Sequence, residues 1–410
     1  MNPFFEVLTI AEAQARLKAN WPQRPMPGEE VAFDEALDRV TALPVVAGED
    51  VPAFDRSTVD GFAVRAADTF GASEGLPAFL TIVDDIKMGF VSEIRLEAAE
   101  TGRIATGGML PPGADAVVMA EYTEAVDDDI VAVTTPVAPG QNIVRQGEDI
   151  KSGAQLIPAG HRLRPADIGA LAAVGKTSVL VRQRPRVGII STGDEIIPPE
   201  TIPSPGQIRD INSYSLGAAV QKAGAKPVQL GLAEDEFEAV WSKVKAGLVN
   251  SDVVILSGGT SVGTQDVAAK VLAELGPPGV LVHGVALRPG KPLLVAVCQG
   301  KPVFGLPGHP VSALVTFDLF VRPAIERLLG LGQAPKPSLR ARLTRNLASP
   351  SGQEELVRVR LVQTEDGLAA KPVLGKSGLI TRLVEAQGTI IVPLEKEGLL
   401  AGTEVEVFLL

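Results

Sequence analysis

The stretch from Asp252 to Asp266, DVVILSGGTSVGTQD, gathers residue types that can handle an oxyanion. Its four apolar residues, Val253 to Leu256, predict a strand buried on both faces of a parallel sheet. Residues 257–263 are small enough for the backbone to approach a ligand closely, and VAAKVLAEL after Asp266 has helical spacing. A buried strand, a glycine-rich turn and a helix start leave amides pointing outward, which suits phosphate. A tight connection that merely needs glycine would have the same sequence.

Three more turns share this character: STGDE at 191–195, GQIRDINS at 206–213 and GLPGHP at 305–310. If the strands before them run parallel, the loops converge at the carboxyl ends, where open α/β sheets bind ligands. They would then bring Asp194, Glu195, Asp210 and Asp266 to one place. Carboxylates beside phosphate suit Mg²⁺, which takes oxygen ligands and shares them with substrate. Each acid alone also serves as a cap or a solvated turn residue. In ALRPGKPLLVA, Arg288 and Lys291 flank a Pro-Gly turn and put two cations just before a strand, again suited to an oxyanion. A solvated turn is the plainer alternative. No GxxxxGK[ST], no GxGxxG opening a helix after a strand and no GxSxG occurs, which disfavours a standard ATPase, a dinucleotide oxidoreductase and a serine hydrolase.

These residues need a frame. Strands alternate with helices from Arg186 to Leu329, which predicts a doubly wound α/β domain. Thr9 opens a first helix that ends at Trp21-Pro22, FDEALDRV suggests a second, and another begins near Pro165. From Leu80 to Asp149 the pattern is β-rich (FLTIV, EIRLEAAE, ADAVVMAEYTE, DIVAVTTPV), and it returns to β from about 337. The fold class expected is therefore α/β plus β in several domains. At 410 residues the chain exceeds one ordinary core. The 42 glycines and 32 prolines, with 4% aromatics, favour short strands and turns over helical bundles. A net charge of -11 argues against a general nucleic-acid surface. The single cysteine, Cys298, excludes an internal disulfide, and His161, His283 and His309 lack zinc spacing. No segment reads as membrane-spanning or as a leader, so a cytoplasmic protein is expected.

Seven motifs in order, STVDGFAV, RIATGGMLPPGADAVVMAE, RQGEDI, STGDE, SGGTSVGTQD, RPGKP and LPGHPVSAL, resemble those of the MoeA-type molybdopterin molybdotransferases, relatives of the gephyrin E domain, over nearly the whole chain. The resemblance implies an elongated four-part subunit working as a homodimer. Its parts would be an α/β (adenylyltransferase-like) molybdopterin-binding domain (1–27 and 181–331), a linking domain (28–50 and 147–180), a β-rich insertion (51–146) and a C-terminal β domain (332–410). The implied reaction takes adenylylated molybdopterin and molybdate, releases AMP and inserts molybdenum at the dithiolene, supported by Mg²⁺. A molybdopterin adenylyltransferase is an implied possible partner.

Carried over by motif, Asp60, Thr106 and Asp149 match polar positions on the insertion side of the family's cleft. Glu195, Asp235 and Asp266 match acidic positions of the α/β domain, with Asp266 and Glu195 expected to handle metal or diphosphate. Gly258, Gly259 and Ser261 are expected to present amides and a hydroxyl to phosphate. Arg288, Lys291, Pro292 and Ser312 lie where the family gathers its anion, and Arg358 and Ser377 match the C-terminal contribution. Three positions depart from the pattern: Arg288 where many members carry lysine, His309 where asparagine is commoner, and Gly284 where some have lysine after His283. The competing functions are adenylyl transfer by the α/β domain alone and a non-catalytic, gephyrin-like dimeric scaffold. The sequence leaves open the divalent metal and the choice between molybdate and tungstate.

Overall fold

The computed structural model describes residues 7–22, 24–259, 267–332 and 335–410. The chain forms two compact units. One comprises Met1–Glu29, Asp38–Ala42 and Val181–Leu410, and the other Glu30–Leu37 and Leu43–Leu180.

The larger unit is built on a six-stranded sheet with the order Lys226–Ala233, Arg186–Thr192, Val253–Ser257, Lys301–Leu306, Leu294–Cys298, Gly279–His283. The first four strands run parallel, and Leu294–Cys298 is antiparallel to both of its neighbours. Successive side chains of a strand point to opposite faces, and the core divides accordingly. Val187, Ile189, Val253, Ile255 and Phe304 pack with the helices Ile10–Asn20 and Asn212–Ala223 and the helical segment 310–328. Ile190, Val254 and Leu256 pack on the other face with the helices Phe237–Asn250 and Val267–Glu274. Helices thus cover both faces, which explains why Val253–Ser257 is buried at every position and reads as a continuous apolar run.

The same unit ends in a small barrel. Glu354–Thr364 pairs with Gly367–Pro372, then come Ser338–Leu343, Glu404–Leu409 and Gly388–Val392, which returns to Glu354–Thr364. Closure removes free strand edges around a core of Val359, Ala370, Ile390 and Val407. The short strand Leu287–Arg288 adds to it beside Glu354 and Glu355, so the Arg288 turn is held against the barrel. The smaller unit carries a six-stranded sheet with the order Ala116–Met119, Gly61–Val64, Glu100–Ile104, Ala78–Ile86, Ile130–Val133, Thr123–Ala125. Its two faces feed separate cores, Val64 with Val118 and Ala63 with Val117.

Several local expectations change. FDEALDRV is not an α-helix: a strand, Gly28–Ala32, leads into a 3-10 turn, Phe33–Glu35. Asp38 takes a left-handed φ of 62°, which no helix interior allows, and the apolar spacing reflects buried Ala36 and Val40. EIRLEAAE is not a strand. Pairing begins at Glu100, just after Ala99 at φ 63°, and buried Leu96 instead donates its amide to the Pro112 carbonyl. GQIRDINS does not end a strand of the main sheet, since Ile208–Arg209 pairs only with Ile196–Ile197. The strand Gly279–His283 and the short helix Thr381–Glu385 were not expected. The helix at Ile10–Asn20 does start as read, with Thr9 and Glu12 forming a reciprocal cap. Cys298 is buried, and that burial raises its thiol pKa to about 11, so it stays an inert thiol. No helix among the described residues is long and apolar enough to cross a membrane.

Phe304, fully buried in the parallel sheet, tests this core. Phe304→Ala should cost about 3–5 kcal/mol of stability. Both tryptophans, Trp21 and Trp241, pack in this unit, so denaturation followed by tryptophan fluorescence reads the loss directly.

Candidate active site

The loops at the carboxyl ends of the parallel strands do converge, and buried polar side chains fasten them. Asn212 donates from Nδ2 to Ser257 Oγ and to the Gly308 carbonyl, both at 2.7 Å. One amide therefore ties the helix start after 211 to two strand ends. Ser191 Oγ donates to Asp210 Oδ1 at 3.0 Å and lies 2.9 Å from Ser213 Oγ. Asp210 also accepts the Ser213 amide at 3.0 Å and is only 8% exposed. Asp210 is thus a buried cap, not a member of the acidic site that its motif suggested. Asn212 is the fastener, and Asp210, two residues before it, accepts the amide of the first helical turn.

The glycines here are set by contact. Gly258 has φ 103°, and a Cβ on it would lie 2.2 Å from the Thr192 carbonyl oxygen. Gly259 has φ 62°, and its Cβ would fall 2.9 Å from Thr192 Oγ1. Only glycine lets these strand ends meet. The Gly258 amide donates to the Leu306 carbonyl at 3.1 Å, so the expectation that it would be offered to phosphate is corrected. That bond continues the ladder between neighbouring parallel strands. Ser261 and Asp266 lie outside the described residues.

Three acids gather at this edge. Asp194 Oδ1 accepts the Asp235 amide at 3.1 Å. The Asp235 residue is exposed overall, yet crowding of its carboxyl raises its pKa. Partial burial is the largest cause, the Asp194 and Glu195 charges add to it, and the Thr192 hydroxyl opposes it. Thr192 Oγ1 is itself buried without a hydrogen bond of normal geometry among the described residues, so its contact with Asp235 is a weak one. Glu195 folds back toward its own turn, where a Cβ on Gly193 would sit 2.8 Å from Glu195 Oε2. Among the described residues no three His, Cys, Asp or Glu side chains are gathered closely enough to cage a metal ion.

A cavity of about 800 Å³ opens where the Arg288 turn and the 305–312 loop face the barrel. It is lined by Arg288, Lys291, Pro292 and Ser312 from the α/β part and by Arg358 and Ser377 from the barrel side. The four residues expected at the anion and the two of the C-terminal contribution therefore line one cavity from two sides. Lys376 joins them and was missed, because a lysine in a loop carries no periodic signal. Arg288 Nε lies 3.4 Å from Glu355, which offsets part of its charge. Gly290 holds the turn at φ 126°, and a Cβ there would strike Thr316 and Leu287. His309 Nδ1 and Ser377 Oγ are 2.9 Å apart, and the Val311 amide donates to the Ser377 carbonyl. His309 therefore latches the two sides of the cavity. Arg358 turns its Nη1 away to Thr389 Oγ1 at 2.6 Å and is only 8% exposed.

Asp60 and Thr106 meet in the smaller unit. Asp60 Oδ1 accepts the Thr106 amide at 2.7 Å and its hydroxyl at 3.0 Å, which holds the Asp60 carboxyl below the usual range. The next residue must be glycine, since a Cβ on Gly61 would lie 1.9 Å from the Val118 carbonyl. Asp149 is exposed, with its amide bonded to the Val51 carbonyl.

Because the pKa of Asp235 is raised on folding, the folded chain holds the protonated carboxyl more readily than the unfolded chain does. Its contribution to stability is present below the unfolded pKa and lost as pH rises through the folded value. Asp235→Asn should therefore raise the thermal midpoint at pH 7. The gain should fade as pH drops toward the ordinary carboxylate value of about 4. A pH series of melting curves on both proteins measures it.

Matches to known proteins cover the whole of this architecture. The family model for the MoeA N-terminal region (domain I and II) matches residues 8–175. The probable molybdopterin binding domain matches 188–327, and the MoeA C-terminal region (domain IV) matches 340–410. A molybdopterin molybdenumtransferase of Bacillus subtilis is 38% identical over 93% of this chain and 90% of its own length. A molybdopterin molybdenumtransferase 2 of Mycobacterium tuberculosis is 36% identical over 92% of this chain and 94% of its own. A crystal structure of a molybdopterin biosynthesis MoeA protein from Pyrococcus horikoshii superposes with a TM-score of 0.86 at 31% identity, covering 99% of this chain and 100% of that one. With three successive regions matched in order and relatives 36–38% identical over more than nine-tenths of its length, this chain belongs to the MoeA family.

Proposed function

We propose that the protein is a molybdopterin molybdenumtransferase that takes adenylylated molybdopterin and molybdate, releases AMP and forms the molybdenum cofactor. The observation that carries this is the single cavity that Arg288, Lys291, Ser312 and Ser377 line together. Molybdate is a dianion, and fixed cations with hydroxyl donors are what it needs to leave water. The names of the relatives point the same way.

The diphosphate falls to the strand-end loops. Gly258 and Gly259 keep the backbone low enough for a phosphate to approach, and Ser261 would add a hydroxyl donor. A divalent cation fits the chemistry of this edge. Asp194, Glu195 and Asp235 offer oxygen donors, and a dication would offset both the partial burial that chiefly raises Asp235 and the smaller repulsion from Asp194 and Glu195. Glu195 and Asp266 are the residues assigned to hold Mg²⁺, with phosphate and water completing a shell that the described residues alone do not close. Bound there, the ion would neutralise charge that develops on the diphosphate.

The remaining assignments extend the same proposal. Asp60, Thr106 and Asp149 belong to the smaller unit, and we infer that they serve the cleft of the partner subunit in a homodimer. The four-part division at 1–27 with 181–331, 28–50 with 147–180, 51–146 and 332–410 is proposed as the working domain plan. It is supported by the two sheets, the barrel and the spans of the matched family regions. A cytoplasmic location and delivery of substrate by a molybdopterin adenylyltransferase follow from a biosynthetic role.

Two experiments test this. Asp266→Asn, incubated with adenylylated molybdopterin, molybdate and Mg²⁺, should release AMP on the order of 100-fold more slowly than the parent. Unchanged release would sink the assignment. Asp60→Ala and Asp266→Asn proteins, each inactive alone, should regain about a quarter of parental activity when refolded together, because half of the dimers then hold one intact cleft. No recovery would place both residues in one subunit's site.

A further inference from the structure

A second cavity, of about 430 Å³, lies in the larger unit between the helices Asn212–Ala223 and Pro310–Thr316, with the segment that follows them, and the barrel. Its charged side chains are one-sided: Lys222, Arg322, Lys336 and Arg358 face one side-chain carboxylate, Asp318, and Leu410, the last residue of the sequence, lines the cavity too. With the Leu410 α-carboxylate counted, that is an excess of two positive charges in a chain whose net charge is -11. Asp318 is already paired with Arg322 at 2.5 Å. Arg358 is the residue left over. It is 8% exposed, its Nη1 donates only to Thr389 Oγ1, and its Nε is buried with no partner among the described residues. The Arg322 Nε is buried and unpartnered as well. Buried guanidinium groups are normally met by an anion, because desolvation without one is costly. Burial lowers the Arg358 pKa, with the Asp318 charge opposing and the Arg322 charge adding to the shift.

The rest of the lining is apolar. Leu356 and Phe408 close it toward the barrel, and Leu314 closes it toward the helix. A bare inorganic ion would satisfy the cations and leave this surface wet. We infer that the cavity is a binding site for a small amphipathic organic anion, a carboxylate carrying a short hydrocarbon body. Its carboxylate meets Arg358 and Arg322 at the buried end, with Lys222 and Lys336 at the exposed rim, and its hydrocarbon covers Leu356 and Phe408. The site is distinct from the oxyanion cavity, with which it shares Arg358 and Leu356 but none of Lys222, Asp318, Lys336 or Thr389.

The test uses the full chain, free of pterin, titrated calorimetrically with hexanoate, hexanol and inorganic phosphate. Hexanoate should bind at one site per chain, and hexanol and phosphate should each bind at least tenfold more weakly. Lys222→Glu and Lys336→Glu alter exposed rim residues that the fold does not need. Each should weaken hexanoate about tenfold, equivalent to about 1.4 kcal/mol, while AMP release stays unchanged. Hexanoate binding should also persist in saturating AMP and molybdate. Equal affinity for hexanol or phosphate, unaltered affinity in the two rim variants, or displacement by molybdate would overturn the proposal. None of these results bears on whether Asp266→Asn loses AMP release, so the two proposals fail separately.

Discussion

The close crossing of Gly258 and Gly259 over Thr192 is the constraint from which the larger unit's chemistry follows. A Cβ at position 258 would lie 2.2 Å from a carbonyl oxygen, so no other residue lets these adjacent parallel strands end side by side. Once they do, the Gly258 amide closes onto Leu306, and Asn212 can reach both Ser257 and the Gly308 carbonyl. Asp194 and Asp235 are joined at the same edge through the Asp235 amide. The raised pKa of Asp235 records partial burial first and the charges of Asp194 and Glu195 second.

Charge is sorted across the same unit. Carboxylates cluster at the strand ends, while Arg288, Lys291 and Lys376 line the cavity beside the barrel. Keeping the two sets on different loops prevents Lys291 and Arg288 from simply neutralising Glu195 and Asp235. Arg288 is instead steadied by Glu355, across the join that its own short strand makes with the barrel.

The positions that depart from the family pattern are structurally coherent. His309 keeps a polar contact across the cavity through Ser377, and its ring spans a gap that the shorter asparagine side chain would leave wider. Gly284 has φ 99° and donates its amide to the Leu293 carbonyl, so this chain's backbone there favours glycine over any side chain. Arg288 offers a planar fork that can engage Glu355 and an oxyanion on different edges, which lysine cannot do in the same way.

Much of this was legible in the residue order. The run Val253 to Leu256, the glycines after it, and helices at regular spacing identify a sheet covered on both faces, because a strand buried twice has no polar positions. The ordered motifs identify the family and pick out residues that the fold brings to one cavity. Short-range pattern failed where tertiary contacts set the backbone: Asp38 and Ala99 adopt left-handed conformations that break an apparent helix and an apparent strand. Side-chain pairing was also beyond it. Nothing in the spacing separates Asp210, buried as a cap, from Asp235, crowded among acids, since both are turn aspartates in sequence. Nor does spacing reveal that Asn212 joins three loops or that Arg358 stands between two cavities. The sequence by itself determined which elements form and which residues could carry charge to a cleft. The tertiary structure alone decided which of those charges meet, because burial and partnership depend on distances between segments far apart along the chain.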